Sequence, residues 1–541
     1  MKKFLTILLI LTMTFSLFAC KPKNNYDELD FTETDDLVEY TFWAFNWNSY
    51  AGTKSDRIIS YIENKFNVKI NLTGVSEDSW KTKINLLVAN DTAPDLFFYT
   101  PGTSVYRTWV SDGMLLKLDP YIEKAQAQNL KSILNSNQIK YSTFDGNHYF
   151  VPNIFGEMNH AMYVRKDWMN KWINSRGLDI EYPETLEQFA DMLKFFTTED
   201  PDGNGKNDTV GMAASSETAW LDNFCAAFGI QPNWTKTGDD YEISALTDGY
   251  KEFLQYFANL YSKGYIYKDF YTLNDAEKLE LFTSGKAGVV ISNNGATVDH
   301  IVNQMSNSTL KGLLNDKDDY LDYIDIINMP SGEFAGGYQG NNWYYGGFSI
   351  SYKVQEPMRL IRILDYLMSE EGQMLRLFGL KDVHYSIDEQ GNIVPNLAER
   401  VKEGARFQIT DLTTAKQNGK YLIGVYFSEN RVSVDQNNDL QVTYDYQIYT
   451  NQELIKKSYD MIAQSELNYD DGAFIVDYSK NYYDKLNQIK DEIKNTFILV
   501  VSGQKTVDSQ LDYLKKRLNA IGYNQVKQEY KSTLTKFGVN S

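Results

Sequence analysis

The sequence is poor in cysteine and histidine. Its 541 residues include two cysteines, Cys20 and Cys225, and four scattered histidines. It contains no His-Glu-x-x-His, no Gly-x-Ser-x-Gly and no Gly-x-x-x-x-Gly-Lys. The chain therefore lacks the motifs of zinc peptidases, of α/β-hydrolases and of P-loop nucleotide hydrolases. With so little cysteine we expect packing, not disulfides, to stabilise the fold.

Positive charge is also in deficit. The chain has 53 lysine and arginine residues against 72 aspartate and glutamate residues, a net charge of -19. Such a balance repels phosphate backbones and anionic lipid heads, which argues against nucleic acid as a partner and against an electrostatic membrane patch. An anionic ligand would need a local basic site. No long apolar run follows residue 20, so we expect the mature chain to be soluble and its 541 residues to form two large lobes or several domains.

One apolar run is present, at the start. Lys2 and Lys3 precede Phe4–Phe18, about fifteen residues broken by a few hydroxyl side chains. A membrane span needs about 20 residues, so we interpret residues 1–19 as a cleaved secretion signal.

The run closes on Leu17-Phe18-Ala19-Cys20. A small residue before a cysteine at this place resembles the bacterial lipobox, in which the cysteine takes a diacylglyceryl group and becomes the new N-terminus. We therefore expect Cys20 to be lipidated and residues 20–37, polar and without period, to be a flexible tether. The alternative is an ordinary signal with a chance cysteine.

The next region alternates strands and helices. Val38, Tyr40 and Phe42 alternate with polar or aromatic neighbours, Leu96 to Tyr99 is an apolar strand, and helical stripes and a further strand lie between them. This order predicts a parallel α/β sheet, with ligands bound at the carboxyl ends of the strands. That edge would carry Asn46, Trp47 and Tyr99.

A second α/β run begins near Asn153. Ala161 to Arg165 reads as a strand, and Thr185 with Gln188 forms a capping box at a helix start. Tyr250 to Lys263 is a further predicted helix, and Val289 to Ile291 a strand that leads into Asn293 and Asn294.

These segments together resemble a family, the bacterial extracellular solute-binding proteins of ABC importers, carbohydrate type, and in particular the alginate-oligosaccharide binders. The resemblance spans residues 38 to about 380 and is carried by the order of several short motifs. They are Pro94-Asp95-Leu96, Gly113 with Leu116–Asp119, Gly146 with Tyr149 and Val151-Pro152, Met162–Trp168, Phe282 with Gly285–Ala287, and Trp343–Ser351 before a helix ending at Ser369–Gly372.

The resemblance implies an α/β fold of the periplasmic-binding-protein type II: two α/β lobes joined by a crossing hinge, with a helical C-terminal extension. We expect an N-terminal lobe of residues 38–152 and 293–346, and a C-terminal lobe with extension of residues 153–292 and 347–541. The ligand would lie between the lobes. The implied protein is a monomer on the extracellular face of the cell membrane, lipid-anchored, that captures a sugar, in particular an oligosaccharide, for ABC permease subunits.

One loop has the residue spacing of a metal-binding site. Asp200, Asp202, Asn204 and Asp208 place oxygen donors at positions 1, 3, 5 and 9 of a loop with glycine at position 6, as in the front of an EF-hand. Lys206 adds a backbone carbonyl. Alginate-type binders carry a similar loop, so the resemblance implies a structural calcium ion. Gly211 stands where an EF-hand has its bidentate glutamate, and Thr209 stands where the family adds an acid. The alternative is a solvated Asp/Gly turn.

Aromatic residues make up 14% of the chain. Flat rings stack on the apolar faces of sugars, while amides and carboxylates bind hydroxyl groups, so a saccharide cleft needs both kinds together. The predicted ligand residues combine them: Trp43, Asn46, Trp47, Tyr99, Trp220, Trp234, Asn293, Asn294, Trp343 and Tyr344. For any one of these rings a place in the core is the alternative.

Two other functions stay open. A glycoside hydrolase needs only two carboxylates about 5 to 9.5 Å apart, and a pair among 72 acids is possible. A peptide-binding or sensory lipoprotein could share the same fold. We expect no catalysis, because no catalytic motif is present.

Overall fold

A computed structural model gives the structure of the chain and describes residues 29–46, 57–154, 160–293, 298, 301, 320–327, 344–396, 431–443, 452–464, 472 and 475–539. The strands are β1 Val38–Asn46, β2 Val68–Ser76, β3 Leu96–Tyr99, β4 Phe150–Ile154, β5 His160–Arg165, β6 Val210–Ala213, β7 Trp234–Thr237, β8 Asp240–Ile243, β9 Ala287–Asn293, β10 Ile324–Ile327, β11 Tyr344–Ile350, β12 Tyr385–Ile387, β13 Ile393–Pro395, β14 Arg431–Val434 and β15 Leu440–Thr443.

The helices connect and cover these strands. The α-helices are α1 Arg57–Phe66, α2 Glu77–Ala89, α3 Ser104–Ser111, α4 Asp119–Ala125, α5 Gln128–Leu134, α6 Lys166–Arg176, α7 Leu186–Thr198, α8 Asp248–Ser262, α9 Asp275–Thr283, α10 Tyr320–Tyr323, α11 Pro357–Met368, α12 Glu370–Phe378, α13 Gln452–Gln464, α14 Lys480–Val501, α15 Val507–Ile521 and α16 Tyr523–Lys536. Short 3-10 helices cover Thr218–Phe228, Ser244–Leu246 and Phe270–Thr272.

The first sheet has the strand order β2-β1-β3-β11-β4. β1 is parallel to β2 and to β3, while β11 runs antiparallel to β3 and β4. In β1, Val38, Tyr40 and Phe42 are buried and Glu39 and Thr41 are exposed, which confirms the predicted alternation. With the helices that pack on it, this sheet forms the first lobe.

The second sheet has the order β10-β5-β9-β6. Successive residues of β5 point to opposite faces. Met162 and Val164 enter one hydrophobic core and Ala161 and Tyr163 enter another. The sheet is thus covered on both faces, and with its helices it forms the second lobe.

The C-terminal helices contact both lobes. The aromatic ring of Phe497 in α14 lies 5.8 Å from that of Phe253 and 5.9 Å from that of Phe257, both in α8 of the second lobe. The start of α14 packs on α3 of the first lobe. Since its 22 residues extend about 33 Å, α14 is long enough to reach from one lobe to the other.

The described strands differ from the predicted division at two places. The sequence predicts residues 293–346 in the N-terminal lobe, but β10 within them hydrogen-bonds to β5 in the second sheet. It predicts residues 347–541 in the C-terminal lobe, but β11 continues to Ile350 in the first sheet, and α11 packs in the first core. The reason is strand pairing. β10 is an edge strand of the second sheet and β11 is an interior strand of the first sheet. The order of the residues along the chain does not reveal either position. The remaining boundaries stay a prediction.

Residues 29–37 also differ from the prediction of a flexible tether. Leu29 and Phe31 pack against the first core, and Arg359 donates to the backbone carbonyl oxygen of Asp36 at 2.7 Å. A segment with no hydrophobic period is therefore docked, because partners far away in the chain hold it.

Candidate functional site

The carboxyl ends of parallel strands form one edge of the first lobe. β1 ends at Asn46, β3 at Tyr99 and β4 at Ile154, and β11 begins beside them, where Tyr344 pairs with Ile154. The second sheet presents a corresponding edge, where Asn293 at the end of β9 pairs with His160 at the start of β5.

These two edges lie close together. Ile154 and His160 are six residues apart, and six Cα steps span at most about 20 Å. The edges of both sheets therefore border one candidate cleft between the lobes, the kind of place where small-molecule sites concentrate.

Tyr344 lies at the first-lobe edge, and its hydroxyl group is buried there. Its ring lies 5.6 Å from the ring of Phe150, and the side chain is 4% exposed. Burial raises the pKa of Tyr344 well above its ordinary value. No described residue is in hydrogen-bond contact with its buried Oη, nor with the buried Oγ1 of Thr100, which directly follows β3. This edge thus contains two buried hydroxyl groups with no hydrogen-bond partner among the described residues.

Tyr99 is placed at the same edge but is packed. Its Oη donates to Asn85 Oδ1 at 2.8 Å, and its ring lies 5.2 Å from the ring of Trp80 and 4.5 Å from that of Trp109. Burial raises the pKa of Tyr99. Its role in this structure is to support the edge.

Trp43 is partly buried against the first core, three residues before the end of β1. The backbone of Asn46, Trp220 and Asn293 is described: Trp220 lies in the 3-10 helix and the other two end strands at the cleft edges. The side chains of these three, and all of Trp47, Asn294 and Trp343, lie outside the described residues.

The structure separates Trp234 from this group. Its ring is 2% exposed and stacks on Tyr530 at 4.5 Å and 14°, with Tyr523 also near-parallel at 6.1 Å. Covered in this way by α16, the ring presents no face to a ligand. Trp234 is a residue of the second core, the alternative we gave for each ring.

Sequence reasoning missed a polar cluster at the second-lobe edge. Ser215, just after β6, donates from Oγ to Asp275 Oδ1 at 2.8 Å, and Lys278 Nζ lies 3.2 Å from the same carboxylate oxygen. Burial lowers the pKa of Lys278 to about 8, although Asp275 opposes the shift. Asp275 is half exposed and can accept hydrogen bonds. Only the position of Ser215 after a strand could have signalled this cluster, since Asp275 comes from a distant helix.

The Asp200 loop connects α7 to β6 and is closed by its own polar groups. The backbone N–H groups of Asn204 and Gly205 donate to the Asp200 carboxylate at 3.0 and 2.9 Å. Asn204 Nδ2 donates to Asp202 Oδ2 at 2.9 Å and to Asp208 Oδ1 at 3.1 Å. Three carboxylates therefore converge, with an amide group between two of them.

This donor set fits a calcium ion in chemistry. Oxygen donors from Asp200, Asp202, Asn204 and Asp208, with the Lys206 carbonyl, are those that Ca²⁺ prefers. Among the described residues, no group of three or more acidic, histidine or cysteine side chains is already gathered tightly enough to hold a metal ion. Binding would therefore require the carboxylates to draw closer together. It would also require the Asn204 amide to turn, because its Nδ2 now faces Asp202 and Asp208.

The predicted secretion signal and Cys20 lie outside the described residues. Where the helices are described, none is long and apolar enough to cross a membrane. Cys225 is buried in the 3-10 helix that covers Thr218–Phe228.

The geometry defines a class: a two-lobed α/β binding protein of the periplasmic-binding-protein type II, with a cleft between the lobes. Comparison with known proteins gives the family. Residues 51–374 match the model of the bacterial extracellular solute-binding proteins, and this chain belongs to that family.

Two relatives from Bacillus subtilis (strain 168) are similar over much of the chain. The polygalacturonan/rhamnogalacturonan-binding protein YtcQ is 26% identical over 71% of this chain and 74% of its own length. Lipoprotein LipO is 26% identical over 59% of this chain and 62% of its own length. The relatives are thus binding proteins and lipoproteins by name.

Solved structures show the same fold. The alginate-binding protein AlgQ2, solved without calcium ion, has a TM-score of 0.66 and 18% identity, covering 92% of this chain and 98% of its own. An EF-hand mutant of the substrate-binding protein FusA from S. pneumoniae, in complex with fructo-nystose, has a TM-score of 0.64 and 17% identity over 93% of this chain and 100% of its own. These structures confirm the predicted fold class.

Proposed function

We propose that this protein is an extracellular, lipid-anchored receptor that captures an oligosaccharide between its lobes and delivers it to the permease subunits of an ABC importer. The family match carries the transport role. The sugar assignment is supported by YtcQ, AlgQ2 and FusA, which are named for saccharides or solved with one. No observation favours the peptide-binding, sensory or hydrolase alternatives, and YtcQ, AlgQ2 and FusA are named as binding proteins.

The proposed site combines hydrogen-bonding groups from both lobes. The first-lobe edge offers the buried hydroxyl groups of Tyr344 and Thr100, and the second-lobe edge offers the Asp275 carboxylate. The other proposed ligand residues, at these edges and at the segments that cross between the lobes, are Trp43, Asn46, Trp47, Trp220, Asn293, Asn294 and Trp343. We propose Tyr99 as a supporting residue, and we leave Trp234 out because its ring is covered.

Capture requires that the ligand bind the closed arrangement of the lobes better than the open one, since a ligand with equal affinity for both shifts nothing. Contacts from two lobes supply that difference. A hydroxyl from Tyr344 and a carboxylate from Asp275 can reach one sugar together only when the edges are near each other.

A thermal-shift screen tests the proposal. The part of the chain that follows the proposed lipid anchor, residues 21–541, is heated with neutral and acidic oligosaccharides and with peptides. A ligand at 100 times its dissociation constant adds about 2.7 kcal/mol to the free energy of unfolding, which is a readily measured shift. A response to peptides and to no sugar would overturn the carbohydrate assignment and leave the fold unaffected.

The site is tested by Tyr344→Phe, which removes the buried Oη and keeps the ring. Loss of one hydrogen bond to a ligand costs about 0.5–1.5 kcal/mol, or roughly a tenfold weaker affinity at the upper end. Tyr256→Phe is the matched control, because that Oη donates to the Leu186 carbonyl within the second lobe. Equal affinity of both variants would remove Tyr344 from the site.

We also propose a structural calcium ion in the Asp200 loop, held by Asp200, Asp202, Asn204, Asp208 and the Lys206 carbonyl. The convergence of three carboxylates supports it, as does the EF-hand named for FusA. The ion would neutralise these charges and fix the connection between α7 and β6. Direct binding of calcium to the chain, measured by calorimetry, tests this proposal apart from sugar binding.

We propose that Cys20 carries the lipid anchor and that residues 1–19 are removed, which would place the mature protein on the extracellular face of the membrane. The name of LipO supports this. Mass spectrometry of the N-terminal peptide distinguishes a diacylglyceryl cysteine from a chain cut elsewhere. We keep the expectation that the receptor acts as a monomer, which sedimentation tests.

A further inference from the structure

Helix α14, Lys480–Val501, begins at the cleft edge of the first lobe. Its start packs on α3, which follows the carboxyl end of β3. The Tyr483 Oη lies 4.0 Å from the place that a Cβ at Gly102 would take, in the loop between β3 and α3. Burial raises the pKa of Tyr483, and the nearby hydroxyl groups of Tyr482 and Tyr344 raise it further. Tyr483 is thus a neighbour of the edge that carries Tyr344.

The same helix reaches the cleft edge of the second lobe. Lys494 Nζ lies 3.7 Å from Glu217 Oε2, and both side chains are in part exposed. Glu217 follows β6, which is parallel to β9, so it lies at the edge where β9 ends at Asn293. Glu217 also directly precedes the 3-10 helix that carries Trp220, a proposed ligand residue. Beyond Lys494, α14 enters the second core with Phe497.

The part of α14 between these two contacts crosses from one edge to the other. Tyr483 and Lys494 are eleven residues apart, which in an α-helix is a rise of about 16 Å. Because the helix is held against one lobe at each end, this part borders the space between the two edges. It therefore forms one side of the candidate cleft.

Two polar side chains lie on the face of α14 that makes both contacts. Four residues of the helix have the spacing of four, three and four that places side chains along one face. They are Tyr483, Asn487, Lys490 and Lys494. The first and last contact the edges, while Asn487 and Lys490 between them are exposed. Ile489 is on another face, buried in the second core. The exposed pair therefore borders the space between the edges and not the core.

These two side chains have the hydrogen-bonding chemistry that a saccharide needs. The Asn487 amide group both donates and accepts hydrogen bonds, and the Lys490 ammonium group has three N–H donors. Sugar hydroxyl groups also donate and accept, so either side chain can bind one or more of them. A helix that is packed at both ends holds such groups in fixed positions, which favours precise recognition.

We propose that α14 forms one wall of the cleft and that Asn487 and Lys490 bind hydroxyl groups of the captured oligosaccharide. This role rests on the proposed function, and it adds a third group of ligand contacts to those of the two lobe edges. Helix α14 lies beyond residue 374, where the match to the family model ends. Neither contact could therefore be carried over from the family pattern.

Calorimetric titration of residues 21–541 tests these contacts with nystose, maltotetraose and tetragalacturonate, which are two neutral tetrasaccharides and one acidic one. Asn487→Ala and Lys490→Met are compared with two matched controls. Asn481→Ala removes an exposed amide group from another face of α14, and Lys516→Met removes an exposed ammonium group from α15.

For a sugar that binds the unmodified chain, we expect about 3- to 10-fold weaker affinity in Asn487→Ala and in Lys490→Met, because each variant loses hydrogen bonds to the ligand. Both controls should stay within about twofold of the unmodified chain. Substitutions of exposed side chains change stability little, so the melting temperature without sugar should be the same in all four variants. The affinity is then lost through ligand contacts and not through unfolding.

Amine labelling gives a second measurement, which needs no substitution. Lys490 and Lys516 are both exposed, and their acetylation can be followed by mass spectrometry. A saturating concentration of the sugar should protect Lys490 and leave Lys516 as reactive as before.

Unchanged affinity in both α14 variants, with Lys490 unprotected, would overturn the proposal and leave the proposed function intact. Equal losses of affinity in the variants and in the controls would also overturn it, because the face of the helix would then not matter. If none of the three sugars bound the unmodified chain, the result would contradict the proposed function, and the α14 site would fail with it.

Discussion

Arg107 and Asp477 join the first lobe to the C-terminal helices through one ion pair, and its removal has a calculable cost. Arg107 Nη1 donates to Asp477 Oδ1 at 3.1 Å, and the same oxygen accepts from the backbone N–H of Asp145 at 3.2 Å. Lys536 in α16 donates to the other carboxylate oxygen at 2.6 Å. The Asp477 side chain is 3% exposed, whereas that of Lys536 is 57% exposed.

Arg107→Met leaves a buried carboxylate with one exposed cation and one N–H group. Breaking a buried pair costs about 3–5 kcal/mol when the remaining charge has no partner, so with these partners retained we expect about 2–4 kcal/mol. For a cooperative unit of 150–250 residues, each kcal/mol lowers the melting temperature by about 2–4 °C. Lys536→Met, at an exposed pair, should cost under about 1 kcal/mol.

A double-mutant cycle with Asp477→Asn isolates the pair. Once Arg107 is replaced, Asp477→Asn should cost little more, because it removes a buried charge that has already lost its main partner. The double variant should therefore be at least about 1 kcal/mol more stable than the sum of the single effects predicts. The assay is urea unfolding followed by tyrosine and tryptophan fluorescence. Additive effects, within about 0.5 kcal/mol, would refute the reasoning and show that the two groups do not act on each other across the lobes.

Three further predictions concern a core ring, the calcium loop and acid stability. Trp234→Ala should destabilise the chain by about 3–5 kcal/mol, because it removes the ring that stacks on Tyr530, and unfolding by urea measures this; an unchanged sugar affinity in the folded variant checks that the ring is not a ligand contact. A chelator should lower the melting temperature of the unmodified chain but not that of Asp202→Asn, and equal shifts in both would contradict the calcium site. Burial alone would raise the pKa of Asp119, but hydrogen bonds and the charge of His148 outweigh it and lower the pKa. The contribution of Asp119 to the free energy of unfolding is therefore present above its unfolded pKa of about 3.9 and is lost as the pH falls through the lower folded value. Asp119→Asn should be less stable than the unmodified chain at pH 7 and should approach it near pH 2 in urea titrations, whereas a constant difference would contradict this origin.

Local sequence patterns predicted the helices, strands and turns well where the deciding side chains are close together in the chain. The capping box of Thr185 and Gln188 forms as predicted, and Leu96–Tyr99 is a buried strand with the predicted bounds. The turn at Asp145-Gly146 is equally local: both residues have positive φ and lie between the paired residues Phe144 and Asn147. In each case the deciding contacts lie within a few residues of one another.

The failures depend on partners far away in the chain. Residues 29–37 have the composition of a tether, but contacts with the first core and with Arg359 and Arg362 make them part of the first lobe. Trp234 is a ring of the kind that stacks on sugars, but Tyr523 and Tyr530 of α16 cover it. Ser215 belongs to a polar cluster only because Asp275, 60 residues later in the chain, accepts its hydrogen bond. Burial by distant segments is not encoded in local period, so these residues could not be placed by pattern alone.

The late position of the C-terminal helices has a consequence for how the chain folds. Tyr530 covers Trp234 from about 300 residues further along the chain, and long sequence separation between contacting residues slows folding. Until α14 and α16 have emerged, the second lobe exposes the rings of Trp234, Phe253 and Phe257, which then lie open to other chains. A growing or newly exported chain should therefore need protection from aggregation until its last helices are in place, and C-terminal truncation should reduce yield before it reduces any affinity.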